Sequence, residues 1–72
     1  MEKRIIELSR KVEQAYNSCS LKSVAAFNPY QFHKMMDVLS REYFNKGVDE
    51  ETFKIIVNNA IINIGGIYVY QE

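Results

Sequence analysis

Residues 53–70 read FKIIVNNAIINIGGIYVY, and the way that stretch folds decides what the rest of the chain is arranged around. Taken as a helix over 49–64 at 3.6 residues per turn, it sets Phe53, Ile56, Val57, Ala60, Ile61 and Ile64 on one continuous apolar face. That is a core stripe. Ile55 and Ile62, seven residues apart, fall on the other side among Lys54, Asn58 and Asn59, where a surface helix should be wholly polar. A helix apolar on two sides is either central in its domain or shared with another molecule. Gly65 and Gly66 then stop the helix and permit a reversal, and the IYVY that follows has the β-branched and aromatic content of a strand. In such a strand Ile67 and Val69 point one way and Tyr68 and Tyr70 the other. A buried strand needs partners for its backbone. Residues 22–26, a copy of the strand across a two-fold axis, or the sheet of another protein would serve; without one of them the tail is not a strand.

Immediately upstream, Asp49 is an N-cap, Glu50 and Glu51 suit the positive end of the helix, and Val48 is spaced to staple onto Phe53. Gly47 sits where the preceding helix should end in a left-handed cap. That preceding helix has the clearest start in the chain: Asn28 as N-cap, Pro29 at the first position, Gln31 as the reciprocal partner of a capping box, and a Phe27 to Phe32 staple. Phe32, Met35, Met36, Leu39 and Tyr43 form its apolar face, with Lys34, Asp37 and Arg41 opposite and Phe44 off the stripe. Adjacent methionines fill irregular cores, though thioethers also suit adaptable contacts. The short turn around Gly47 makes these two helices close neighbours.

Residues 17–23, NSCSLKS, are rich in small polar side chains and predict a loop anchored by Leu21, Val24 and Phe27, with an extended piece at 22–26. Before it, Ile5, Leu8, Val12, Ala15 and Tyr16 follow helical spacing, and Cys19 would share their face if the helix reached it. Glu7 and Lys11 make an i, i+4 pair on the charged side.

The expectation is therefore a mainly α fold, a small domain of three helices near 2–17, 29–46 and 50–64, with a short C-terminal β-strand that pairs across a dimer or within the chain. With 72 residues there is room for one core and little else. Area-based burial set against ordering entropy leaves such a domain near balance, so a homodimer that buries more apolar surface is expected.

Composition narrows function by exclusion. Hydrophobic residues make up 47%, which is globular, and nine basic residues cancel nine acidic ones, which argues against nucleic acid and anionic membranes. One cysteine allows no internal disulfide, no stretch is apolar enough to span a bilayer, and the charged start does not read as a signal peptide. A cytoplasmic protein is expected, and the wealth of Ile, Asn, Lys and Tyr suits an AT-rich bacterial, phage or plasmid genome.

Chemistry is thinly supplied. His33 and Asp37 stand at i, i+4 and could share a metal or a proton, but no third ligand accompanies them. A Cys19, His33, Asp37 triad can be written for any small chain with one Cys and one His, and a free cysteine usually packs as a small hydrophobe. No catalytic residue, cofactor or metal is expected, and the chain does not read as an enzyme. A helix-turn-helix is opposed by Asp49, Glu50 and Glu51 at the start of its would-be recognition helix. A small DNA-binding regulator using Lys3, Arg4, Arg10 and Lys11 of the first helix remains as the alternative to a solvated face. The leading expectation is a non-enzymatic interaction module, an adaptor or an inhibitor of a host protein, that meets its protein partner through Ile55, Ile62, Tyr68 and Tyr70.

Overall fold

The computed structural model describes residues 2–20 and 27–71. Among these residues three helices, α1 (Lys3–Ser20), α2 (Pro29–Asn45) and α3 (Glu50–Asn63), enclose one core. α1 packs against both other helices, while α2 and α3 touch each other least. The radius of gyration is 11.7 Å, close to the ~11 Å expected of a compact chain this long.

Both later helices begin as local chemistry dictates. The Asn28 carboxamide accepts from the Gln31 amide at 3.1 Å, with Pro29 at the first helical position, and the Asp49 carboxylate accepts from the Thr52 amide at 3.3 Å. The capping box at Asn28 is only half made. Its own N–H donates to the Cys19 carbonyl at 3.2 Å, so the slot expected for the Gln31 side chain is taken by the end of α1. The Phe27 to Phe32 staple is present, with ring centroids 5.5 Å apart.

Both later helices also end in the same device. Gly47 and Gly65 adopt φ of +93° and +78°. The Gly47 and Val48 amides donate back to Phe44 and Tyr43, and the Gly65 and Gly66 amides to Ile62 and Ile61. These paired bonds satisfy carbonyls that the last turn would leave orphaned. Gly66 then passes so close to α1 and α3 that a Cβ there would meet Ile61 Cγ2 at 2.7 Å and the Tyr16 ring at 2.8 Å.

α1 runs three residues beyond its expected end at 17, through Asn17, Ser18 and Cys19 to Ser20. Cys19 falls one turn past Ala15 and Tyr16 on the core stripe, and its thiol meets the Met35 sulfur at 3.8 Å. That packing offsets the poor helix propensity of the polar run. The Glu7 to Lys11 pair does not form. Glu7 turns to Tyr43 and Lys46, and Lys11 to Glu42, so the charges clasp α1 to α2 instead of decorating one helix. The anchors Leu21 and Val24 and the extended piece at 22–26 lie outside the described residues.

No strand is present among the described residues, which corrects the expected C-terminal β-strand. The tail after Gly66 alternates as a strand would, with Ile67 and Val69 outward and Tyr68 and Tyr70 inward, but its backbone meets a side chain rather than a ladder. Tyr70 N–H donates to Asn58 Oδ1 at 2.8 Å, and Asn58 Nδ2 donates to the Tyr70 carbonyl at 3.1 Å. One carboxamide thus does for Tyr70 what a neighbouring strand would have done.

Candidate functional site

Among the described residues, the outer face of α3 and the tail after it carry four of the eight exposed large apolar side chains. Ile55, Asn58 and Ile62 stand at i, i+3 and i+7, one stripe on the helix. Ile55 is 51% exposed and Ile62 69%, while five residues of the opposite stripe, Phe53, Ile56, Val57, Ala60 and Ile61, are buried. Asn58 in the middle grips Tyr70 and also donates to the Lys54 carbonyl at 3.1 Å. That grip fixes the tail to α3 at Tyr70, and in the tail Ile67 is 94% exposed and Val69 61%.

The two tyrosines expected on this surface lie on its inner side. Tyr70 is 3% exposed, and Tyr68 is half-buried against the core. Three helices leave a gap between α2 and α3, and the tail tyrosines fill it. Tyr68 packs on Phe27 and Phe32 with centroids 4.9 and 5.9 Å away, and Tyr70 packs on Phe32 and Phe53 at 6.2 and 6.3 Å. Burying most of an aromatic ring is worth about 1.5–3 kcal/mol, more than solvent contact returns, so the alternation resolves with rings inward and aliphatics outward. Sequence reasoning saw Ile55 and Ile62 but missed Ile67 and Val69 as surface residues. The period-two signal was there; the direction of the pleat was not.

His33 belongs to this tail contact and not to a pair with Asp37. Its Nε2 lies 2.6 Å from the Tyr68 hydroxyl, and its ring is 5.0 Å from Tyr70. Cys19 sits at the Met35 sulfur, and burial pushes its thiol above the ordinary value, away from a reactive thiolate.

The basic residues of α1 divide. Arg4 bonds Glu2 and the Lys46 carbonyl, and Lys11 bonds Glu42 at 3.1 Å, whereas Lys3 and Arg10 stay exposed. Around Tyr43 the charges form a clasp. Its hydroxyl donates to Glu7 at 2.5 Å, and the ammonium groups of Lys46 and Lys11 lie 4.8 and 5.2 Å from its ring. The hydroxyl first, and Lys46 after it, hold the Glu7 carboxyl below its ordinary range; Lys11 does the same for Glu42.

A second apolar surface is an open groove of about 380 Å³ between α1 and α2, floored by Ala15, Met35, Val38 and Leu39 with Lys11 and Gln14 at its rim. No helix among the described residues is long and apolar enough to cross a membrane. Comparisons with protein-family models, with curated proteins and with solved structures find no match to this chain.

Proposed function

We propose that this protein is a non-enzymatic protein-protein interaction module, an adaptor or an inhibitor of a host protein of the kind phages, plasmids and bacteria encode, and that it associates with itself as a homodimer. The observation that carries the reading is the outer stripe of α3: among the described residues Ile55 and Ile62 remain exposed while the core is built from others. A small domain needs apolar burial for its stability, and isoleucines left exposed on the outer stripe of its third helix, beside two exposed tail aliphatics, are what an interaction surface would present. The contact surface is thus Ile55, Ile62, Ile67 and Val69, with Tyr68 and Tyr70 supporting it from beneath.

The test compares the wild-type chain with Ile62→Asp, immobilised and exposed to bacterial extract, with bound proteins identified by mass spectrometry. Because Ile62 points to solvent, the variant should keep its helical circular dichroism while its specific captures fall at least tenfold. Equal capture by two equally folded proteins would refute the reading.

A further inference from the structure

We infer that the gap between α2 and α3 is a binding groove for an extended peptide with two aromatic side chains two residues apart, and that the chain's own tail is the ligand it holds in cis. The inference goes beyond the outer face of α3 and does not depend on it.

What the groove reads is shown by what fills it. α2 and α3 touch each other least, and Phe27, Phe32 and Phe53 line the seam, where they meet Tyr68 and Tyr70. Tyr70 meets Phe32 and Phe53 edge-on, at interplanar angles of 83° and 72°. Aromatic rings favour that arrangement, so the groove selects rings over aliphatic chains of equal area. The Tyr68 hydroxyl shares a hydrogen bond with His33 Nε2 at 2.6 Å, so the first of the two positions suits a ring that carries a hydroxyl. Asn58 holds both the N–H and the carbonyl of Tyr70, at 2.8 and 3.1 Å. Every residue but proline offers that pair of groups, so the carboxamide reads an extended backbone while the ring contacts read identity. Ile67 and Val69 face solvent, and the groove does not read them.

None of these contacts requires the peptide to be joined to α3. The join supplies an effective concentration, on the order of millimolar for a short link, and no bond across the groove. The ligand comes from a partner protein and not from a second copy. Gly66 is seated against Ile61 and Tyr16, and Ile67 alone separates it from Tyr68, a span of about 7 Å in extended chain. A copy's tail therefore has no slack with which to leave its own body for another's.

Tyr68→Ala with Tyr70→Ala in the full chain empties the groove of its own rings. That variant should melt below wild type by circular dichroism. The acetylated peptide GIYVYQE, residues 66–72, should raise its Tm saturably at millimolar concentration, or restore helical signal if the variant is unfolded alone. Tyr68→Ala by itself, at a half-buried position, gives a milder variant. Ile67→Ser and Val69→Ser in the peptide should leave the rescue intact, whereas Tyr68→Ala with Tyr70→Ala in the peptide, or methylation of its Tyr70 amide nitrogen, should weaken it about tenfold. Wild type, its groove already filled, should need at least tenfold more peptide than the variant for the same NMR shift of the Asn58 side-chain amide. Absence of saturable rescue in both variants, rescue by the peptide without its tyrosines, or equal response of wild type and variant would overturn the proposal. Rescue by added wild-type chain as strong as that by the peptide would overturn the choice of source. Ile62→Asp placed in the rescued variant should change nothing, so the groove and the outer face of α3 fail separately.

Discussion

Asn58→Ala tests whether one side chain holds the tail to the body. In the structure the Asn58 carboxamide makes two bonds to the Tyr70 backbone, at 2.8 and 3.1 Å, and one to the Lys54 carbonyl at 3.1 Å. The third carbonyl already accepts within the helix, so the loss falls on the first two. At about 1 kcal/mol net for each bond, made at a residue only 3% exposed, the cost is about 2 kcal/mol. For a domain of this size each kcal/mol moves Tm by roughly 4–8 °C, so the melt followed by circular dichroism should fall by about 8–16 °C. Hydrogen exchange of the Tyr70 amide should accelerate at least tenfold. A chain lacking residues 67–72 supplies the second leg of a cycle, since there the same substitution should cost well under 1 kcal/mol. An unchanged Tm together with unchanged protection at Tyr70 would show that tyrosine packing alone docks the tail and that the carboxamide is incidental.

Two glycines in sequence should fail for different reasons. Gly65→Ala strains a backbone at φ +78° in open space, costing about 1–2 kcal/mol, and Gly65→Asn should recover part of it. Gly66→Ala pushes a methyl into Ile61 and Tyr16, costing about 1–3 kcal/mol, and Gly66→Asn should be worse; urea midpoints separate the two patterns, and identical behaviour would refute the assignment. Acid should destabilise the fold through Glu7, Glu42 and Asp49, whose carboxyls are held low by Tyr43, Lys11 and Thr52 respectively. A depressed folded value means the contribution is present above the ordinary 4.5 of the glutamates and is lost as pH falls through the folded values. Tyr43→Phe removes the first cause at Glu7, so the fall in urea midpoint between pH 6 and about pH 3 should shrink; an equal fall would mean that the hydroxyl does not bias Glu7.

Much of the fold was legible because helix signals are local. Asn28, Pro29, Gly47, Asp49 and Gly65 each act through bonds or dihedrals within a few residues, and they fix the starts of α2 and α3 and the ends of both wherever the chain goes next. The same holds for the stripes, since 3.6-residue spacing alone puts Leu8, Val12, Phe32, Met36, Phe53 and Val57 inside. The exposed pair Ile55 and Ile62 was legible for the same reason: they break the period of their own helix.

What the sequence could not decide were choices between equally local alternatives. Whether NSC continues α1 depends on Cys19 reaching Met35, a contact sixteen residues away. Glu7 had Lys11 in reach along its helix and took Tyr43 and Lys46 from another. IYVY alternates whichever face is buried, and only the gap between α2 and α3, sized for rings, turned Tyr68 and Tyr70 inward and left Ile67 and Val69 outside. The physical reason is range. Caps, glycine dihedrals and helical periodicity are settled over one or two turns of chain, whereas ion-pair choice, strand pairing and the direction of a pleat are settled by which distant surface arrives first with the better fit.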